Sequence, residues 1–328
     1  MIKTPLTRWF DLSTPIIGAP MAGVSGGAMA RAVSAAGGLG MIGISGAHRR
    51  EFVTEQCAIP AAAEVPFGVG LMVWVLDDRP DLLEATIEAQ PSLVSVSFGD
   101  PAPYVGPLHD AGIAVASQVN TTADVAQALD AGVDVLVAQG TDAGGHTGSV
   151  GTMPLLQRVL EIGDAAGKPV VAAGGIATGR GIAGALAMGA AGAWIGRRFC
   201  ATRESLGGEE ARRRILEAGE TGTVHTRVFD VAQGIPWPEE FPGRALRNSF
   251  TARWHGREED LRAQRSSAAT GLEEARERGD YSEAYIYAGQ AAGLVNDLPP
   301  AGELVGRLVV EAEARLRACR SLFSDGSS

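Results

Sequence analysis

Short apolar runs alternate along this chain with longer segments in which apolar residues recur at helical spacing. Many of the helical segments end at a glycine, where the chain must turn before the next apolar run; Gly132 is one such position. The eight runs predicted to be strands begin near Ile16, Gly40, Phe67, Leu93, Ile113, Val133, Pro169 and Ala193. This repeated order of helix, glycine and short strand is typical of parallel βαβ units.

Eight such units within about 200 residues favour a closed barrel over an open sheet. The predicted fold class is therefore α/β, a (β/α)8 TIM barrel with a smaller, mainly helical second subdomain. The alternative is an open doubly wound sheet, which the short strands rich in small residues fit less well. Active sites of such barrels lie at the C-terminal ends of the strands, so chemistry is expected there.

The strand rhythm divides the chain into three parts. Residues 1–206 carry the rhythm and form the predicted barrel. In residues 207–297 the rhythm stops and aromatic residues and prolines concentrate, so we expect a mainly helical subdomain that covers the barrel mouth as a lid. Residues 298–328 are expected to form a helix that returns to the barrel. The apolar stripe of that helix consists of Leu304, Leu308, Ala312 and Leu316.

Composition narrows the classes of partner. The 28 Lys and Arg residues are outnumbered by 38 Asp and Glu, which gives a net charge of −10 and argues against nucleic acid or an anionic membrane as partner. Cys57, Cys200 and Cys319 lie far apart, so neither a disulfide framework nor a zinc site is expected. With no signal peptide and no apolar run of spanning length, we expect a cytoplasmic protein.

Two glycine turns stand at the ends of the last two predicted strands. Gly174 and Gly175 follow the seventh strand, while Gly196 and Arg197 end the eighth. Backbone N–H groups in the loops after these two strands form the usual phosphate site of this barrel. Either turn alone could serve only tight packing. Together they predict a mononucleotide-type cofactor.

A single histidine has a comparable glycine setting. His146 follows Gly144 and Gly145 in the loop after the sixth predicted strand, near both glycine turns. A neutral imidazole can accept a proton or donate a hydrogen bond near neutral pH, so a catalytic role is expected, with a structural role as the alternative. The sequence has no HExxH, Walker lysine loop, Gly-x-Ser-x-Gly elbow or Rossmann acidic residue, and no metal site is predicted.

Several motifs resemble those of the nitronate monooxygenase family, formerly called 2-nitropropane dioxygenase. The resemblance spans nearly the whole chain and ends with the Ala288-Gly289-Gln290 segment. Flavin enoyl-thioester reductases and NAD(P)H:quinone reductases share the Gly-Gly-His motif, so it is less specific to nitronate chemistry. The segments that carry the resemblance are Ile17–Gly23, Ala138–Gly140, Ala143–His146, Ala172–Ile176 and Ile195–Phe199.

The resemblance implies that the 1–206 barrel binds FMN. It places Pro20, Met21 and Ala22 against the isoalloxazine ring and Gln118 near its N1 edge. The residues that it implies for flanking the ring and for holding the phosphate are Gln139, Ala143, Gly144, Gly145, Gly174, Gly175, Gly196 and Arg197.

Two positions depart from the family's usual pattern. Gly70 stands where family members often have Asn, and Arg197 stands where they often have Thr or Ser. The first change removes a polar group near the flavin, and the second offers a guanidinium that can still bind phosphate.

The implied activity is oxidation of alkyl nitronates, and of nitroalkanes, by O2 to carbonyl compounds and nitrite. His146 would face the nitro or nitronate group. The alternative is an NAD(P)H-dependent flavin reductase of enoyl thioesters or quinones. A flavin-binding module without turnover is a third reading, which the intact His146 and the aromatic lid disfavour. The expected partners are a small nitronate or nitroalkane and O2, and the expected state is a monomer or homodimer.

Overall fold

The computed structural model describes residues 2–322; Met1 and residues 323–328, the end of the predicted C-terminal segment, lie outside the described residues. In chain order the strands are β1 (Ile16–Gly18), β2 (Leu39–Gly43), β3 (Phe67–Met72), β4 (Leu93–Ser97), β5 (Ala114–Val119), β6 (Val135–Gln139), β7 (Gly145–His146), β8 (Val170–Ala173), β9 (Gly192–Ile195), β10 (Thr223–Thr226) and β11 (Gly243–Leu246).

Eight of these strands close a parallel barrel in the order β1-β2-β3-β4-β5-β6-β8-β9. The barrel is sealed where Ile17 of β1 pairs with Trp194 of β9. The predicted (β/α)8 barrel is therefore confirmed, and each predicted strand start lies within two residues of the observed one. The open-sheet alternative is wrong.

Alternation along each strand decides which side chains fill the barrel and which meet the surrounding helices. On β6, Val137 belongs to the cluster inside the barrel, whereas Leu136 and Ala138 pack with the helices outside. Continued by one step, the same alternation brings Gln139 to the inner face at the C-terminal end of β6. Gln118 reaches the equivalent place on β5. Both amides therefore lie at the end of the barrel where active sites form.

The helices surround the barrel and form most of the second subdomain. In chain order they are α1 (Pro5–Trp9), α2 (Gly27–Ala35), α3 (Arg50–Ala61), α4 (Val73–Leu76), α5 (Pro80–Glu88), α6 (Ala102–Asp110), α7 (Thr122–Asp130), α8 (Thr152–Ala165), α9 (Gly179–Ala187), α10 (Arg197–Cys200), α11 (Glu209–Glu217), α12 (Val228–Gln233), α13 (Ser249–Trp254), α14 (Glu258–Ala263), α15 (Arg265–Glu277) and α16 (Ala301–Ala318). Short 3-10 helices cover Gln290–Leu294 and Cys319–Leu322. Across residues 2–322, no helix has the length and apolar character needed to cross a membrane.

Helix α16 packs against the barrel's outer layer. Leu304, Leu308 and Ala312 of its apolar stripe are buried in one cluster with Ile182 of α9 and Val33 of α2. Its Glu311 carboxylate accepts a hydrogen bond from the Gly179 amide at the first turn of α9, over 2.8 Å. The C-terminal helix thus packs across α9 and α2, and its Glu311 caps the start of α9.

The range 207–297 contains strands that the sequence pattern did not predict. Helices dominate this range, but β10 and β11 form an antiparallel pair, and β11 also pairs with β7 from the barrel loop. This three-stranded sheet joins the subdomain to the loop that carries His146. The subdomain has its own apolar core, which includes Phe229, Phe250 and Leu272.

Candidate active site

The loop after β1 meets the ends of neighbouring strands through close backbone packing. A Cβ atom at Gly70 of β3 would collide with the Pro20 ring, so only glycine fits there. An Asn at this position would meet the same collision in this chain. On the other side, the Met21 sulfur lies 3.3 Å from the Cys200 sulfur of α10. A Cβ at Gly196 would also lie 3.3 Å from the Met21 sulfur, so the β1 loop and the end of β9 are in contact.

The turn after β8 requires its two glycines. Gly174 has φ +104° and Gly175 has φ +70°, a region that L-residues rarely adopt. A Cβ at Gly174 would lie 2.6 Å from the Thr152 hydroxyl and 3.2 Å from the Ala143 nitrogen. Gly174 therefore lets the β8 turn pack closely against the loop after β6, while Gly175 faces solvent. The Thr178 hydroxyl caps the start of α9, since it accepts a hydrogen bond from the Gly181 amide over 3.3 Å.

Arg197 is a buried cation that forms no ion pair with any Asp or Glu of the described residues. One of its terminal nitrogens donates to the Tyr287 carbonyl oxygen over 3.1 Å, but Nε and Nη2 have no hydrogen-bond partner. Burial lowers the pKa of the guanidinium; the Cys200 side chain opposes that shift in part, and no carboxylate within residues 2–322 does. A buried unpaired charge costs several kcal/mol, on the order of what one good anionic partner returns. The site at the end of β9 is therefore suited to an anion.

His146 lies in a buried polar cluster, and not on an exposed turn. Only 8% of the residue is exposed. A hydrogen bond of 2.9 Å joins its Nε2 to Oδ1 of Asp230, a carboxylate of α12 that is 2% exposed. The Tyr287 hydroxyl donates to the same oxygen over 3.3 Å. The imidazole also stacks on the Trp237 indole, with ring centroids 3.5 Å apart and planes 9° from parallel.

Aromatic side chains from the barrel and from the second subdomain meet beside His146. Trp237 packs edge-on against Trp74, which follows β3, and against Phe98, which follows β4; both pairs of ring centroids are 5.0 Å apart. Phe98 has φ +66°, a strained backbone conformation for a bulky residue. Strain of this kind clusters at functional sites. The imidazole therefore lies against an apolar wall built by both parts of the chain.

Two backbone segments approach closely at Gly144. A Cβ at Gly144 would lie 2.5 Å from the Gly289 nitrogen, and the Gln290 amide donates to the Asp142 carbonyl over 2.9 Å. Gly145 has φ +77°, and a Cβ there would meet nothing within 4 Å. Gly144 is thus explained by packing against the 287–290 segment, while Gly145 leaves open space beside His146.

A wide cleft lies at the opposite end of the barrel. It has a volume of about 700 Å³ and is lined by Trp9, Phe10, His109 and Asp134, among others. These residues surround the N-terminal ends of β4, β5 and β6, opposite the glycine turns. Because barrel chemistry takes place at the C-terminal ends, the convergence of His146, Arg197 and the glycine turns marks the candidate site better than cleft size does.

Comparison with known proteins identifies the family of the chain. Residues 79–311 match the sequence model of the family described as nitronate monooxygenase. The chain belongs to this family. A nitronate monooxygenase of Neurospora crassa is 33% identical, over 96% of this chain and 93% of the relative. A Mycobacterium tuberculosis protein, named (3aS,4S,5R,7aS)-5-hydroxy-7a-methyl-1-oxo-octahydro-1H-indene-4-carboxyl-CoA dehydrogenase, is 30% identical over 98% and 99% of the two chains. The structure of FabK from Thermotoga maritima superposes with a TM-score of 0.86 at 29% identity, covering 98% and 100% of the chains.

Membership of the nitronate monooxygenase family makes the chain a flavin-dependent oxidoreductase. Two features of the structure fit such a cofactor. The unpaired nitrogens of Arg197 offer donors to an anionic group. The open side of Gly145 and the exposed turn at Gly175 allow a ligand to approach the backbone without a side chain in between. Both features lie at strand ends of the barrel.

The residues expected from the sequence fall into three groups. Met21 and Gly196 are in contact, and Gly174 packs near Ala143. Tyr287 links Arg197 to His146. Its carbonyl oxygen accepts a hydrogen bond from Arg197, and its hydroxyl donates to Asp230, the carboxylate that is also hydrogen-bonded to His146. The Gln139 side-chain oxygen accepts a hydrogen bond from the Asn120 side-chain amide, whereas the Gln118 side chain makes no hydrogen bond with any described residue. Sequence reasoning missed Asp230, Trp237 and Tyr287 as parts of the site, although it noted the aromatic enrichment around them.

Proposed function

We propose that this protein is an FMN-dependent enzyme that oxidises alkyl nitronates with O2 to carbonyl compounds and nitrite. The observation that carries the proposal is the His146 imidazole, held by a buried carboxylate and stacked on an indole at the flavin end of the barrel. A histidine in such surroundings can bind an anionic nitro group or take a proton. The reaction class is inferred from family membership, and binding of the nitro or nitronate group is inferred from the histidine.

The cofactor assignment rests on one set of phosphate donors. Gly174, Gly175, Gly196 and Arg197 would hold a single phosphate, and no second dinucleotide turn exists in the sequence, so FMN is favoured over FAD. The ring would lie against Pro20, Met21 and Ala22, flanked by Gln118, Gln139, Ala143, Gly144 and Gly145. When bound, the flavin accepts electrons from the substrate and delivers them to O2.

The protein's own residues would prepare the substrate. For a neutral nitroalkane, the proton on the carbon beside the nitro group would move to one ring nitrogen of His146, and the electron pair left behind would spread onto the nitro oxygens. For a nitronate, which already carries that charge, the protonated ring would donate a hydrogen bond instead. Trp237 and its aromatic neighbours would keep water from the reacting carbon.

A second function is favoured by one specific observation. The acyl-CoA dehydrogenase relative of Mycobacterium tuberculosis matches this chain along its whole length, as the nitronate monooxygenase of Neurospora crassa does. The second candidate is therefore a flavin enzyme that exchanges hydride with NAD(P)H and acts on an enoyl thioester or a quinone. In that case His146 would donate a proton to the reduced substrate.

Anaerobic mixing separates the two candidates. We expect the flavin-loaded protein to bleach at once with an alkyl nitronate and to stay oxidised with NADH or NADPH. Fast bleaching by a pyridine nucleotide, with no response to nitronate, would favour the second function. Acid release of the cofactor followed by chromatography tests FMN against FAD, and recovery of FAD would contradict the cofactor assignment.

Paired substrates test the role of His146. We expect His146→Ala to lose about 10²- to 10⁴-fold in turnover of a neutral nitroalkane, the usual contribution of a general base. Turnover of the matching pre-formed nitronate should fall far less, because no proton has to leave carbon. The control is His109→Ala at the opposite end of the barrel, which should leave both rates unchanged. If His146→Ala turns over both substrates at the native rates, His146 is structural.

A further inference from the structure

Asp230 is a buried carboxylate whose hydrogen-bond partners among the described residues are an imidazole and a phenol. Its Oδ1 faces His146 Nε2 at 2.9 Å and the Tyr287 hydroxyl at 3.3 Å. No lysine or arginine within residues 2–322 forms an ion pair with it. Burying a carboxylate in this way is costly unless its oxygens accept hydrogen bonds. Hydrogen bonds from the imidazole and the phenol therefore offset the cost of burying this carboxylate.

The phenol can only donate in this position. Burial, reinforced by the nearby Asp230 charge, raises the pKa of Tyr287 well above its usual range, so the hydroxyl keeps its proton. An ionised carboxylate has no proton to give and only accepts hydrogen bonds. The hydrogen bond to His146 then requires the ring proton to lie on Nε2. His146 Nδ1 makes no hydrogen bond with any described residue, so its lone pair is the free one.

We propose that Asp230 is a positioning residue, which keeps the proton of the His146 imidazole on Nε2 and so leaves Nδ1 as the nitrogen that works on the substrate. The stacked Trp237 ring fixes the plane of the imidazole, and the Asp230 carboxylate fixes its rotation within that plane. The inference rests on the proposed function, since it assigns the reacting atom of the histidine. It also predicts a property of the free protein that can be measured without any substrate.

The decisive variant is Asp230→Asn. The amide has the same shape as the carboxylate, but its NH2 group donates, so it would favour the opposite tautomer with the proton on Nδ1. A matched control exists at the other end of the barrel, where His109 Nε2 lies 2.7 Å from the Asp134 carboxylate. Asp134→Asn makes the same chemical change in a second His–Asp pair that lies far from the candidate site.

Nitrogen NMR of the protein labelled with 15N-histidine reads the tautomer directly. The chain has five histidines, and the His146 signals are those missing from His146→Gln. At about pH 9, above the ordinary range for imidazole, we expect the native ring to carry its proton on Nε2 and the ring in Asp230→Asn to carry it on Nδ1. A native ring with its proton on Nδ1, or with protons on both nitrogens, would overturn the proposal even if Asp230→Asn failed to fold.

Kinetics provide the second readout. Asp230→Asn should lose about 10²- to 10⁴-fold in kcat on a neutral nitroalkane, because the wrong tautomer offers no lone pair, while turnover of pre-formed nitronate falls far less. Asp134→Asn should match the native protein on both substrates. An equal loss on both substrates by Asp230→Asn would point to a merely structural role. If the native protein oxidises neither substrate, the proposed function fails, and the NMR result still decides the tautomer.

Discussion

Gly175 provides a sharp test of the phosphate site, because the structure allows charge to be separated from shape. Its φ of +70° means that any L-residue is strained there, by roughly 1–2 kcal/mol, and Asn and Asp tolerate this region best. A Cβ would lie 3.4 Å from the Asp142 Cβ, an ordinary contact, so either side chain has room. Gly175→Asn and Gly175→Asp therefore share strain and size and differ in charge.

The magnitude follows from Coulomb's law. Two unit charges about 4 Å apart repel by roughly 1 kcal/mol in water and 4 kcal/mol at an effective dielectric constant of about 20. Gly175 faces solvent, which places its repulsion of a bound phosphate between these limits. We therefore expect Gly175→Asp to weaken FMN binding about 10- to 10³-fold relative to Gly175→Asn. Repulsion between the new carboxylate and Asp142 would also lower the stability of the flavin-free protein.

Titration of the flavin-free variants with FMN, followed by quenching of flavin fluorescence, measures the two dissociation constants. Thermal unfolding without flavin checks that both variants fold. Riboflavin is the control ligand, since it lacks the phosphate and should bind the two variants equally. If Gly175→Asp and Gly175→Asn bind FMN with the same affinity, the phosphate does not lie at this turn, and the reasoning from Gly174 and Gly175 is refuted.

Three further predictions concern the aromatic wall, the core of the second subdomain and the thiols. Trp237→Ala, which removes the ring 3.5 Å from the imidazole, should raise kcat/KM for long-chain relative to short-chain nitronates by about 10-fold; a parallel fall at all chain lengths would contradict this. Phe229→Ala, at a position 1% exposed, should lower the free energy of unfolding in denaturant by about 3–5 kcal/mol, and a loss below about 1 kcal/mol would contradict the packing argument. A thiol reagent should label Cys319 in the native protein and reach Cys57 and Cys200 only on unfolding, because both are buried and burial raises the pKa of Cys57 to about 12; rapid labelling of all three would be the contrary result.

The barrel was predictable from sequence because its signals are local. A strand buried on both faces reads as an unbroken apolar run, so its existence is clear although its ends are not. The predicted start near Val133 lies two residues before the observed one at Val135, because Val133 is as apolar as the strand itself. A side-chain cap is another local signal, and the capping box between Thr121 and Asp124 marks the start of α7 in this way.

The small sheet was missed because nothing local specifies it. Thr223–Thr226 and Gly243–Leu246 are four residues each and pair with each other, and Gly243–Leu246 also pairs with a strand of two residues from a distant loop. Segments so short carry no readable alternation. The concentration of prolines and aromatics in this range led to the prediction of a mainly helical subdomain without strands, whereas the chain there also brings two short strands together.

The same limit explains the missed site residues. Asp230 lies 84 positions from His146, and α12, which carries it, has six residues and no motif. Only the fold brings the two side chains together. His146 itself was identified by its glycines, but its burial was not, because the Trp237 ring that covers it also comes from the second subdomain.

The pairing of β7 with β11 has a consequence for how this family uses its two parts. Gly145 and His146 pair with Arg244 and Gly243 of the second subdomain, so the loop that carries His146 is a strand of a sheet that this subdomain completes. The subdomain also supplies Asp230, which faces the imidazole. The barrel ends would hold the flavin, while the subdomain decides how the histidine is oriented.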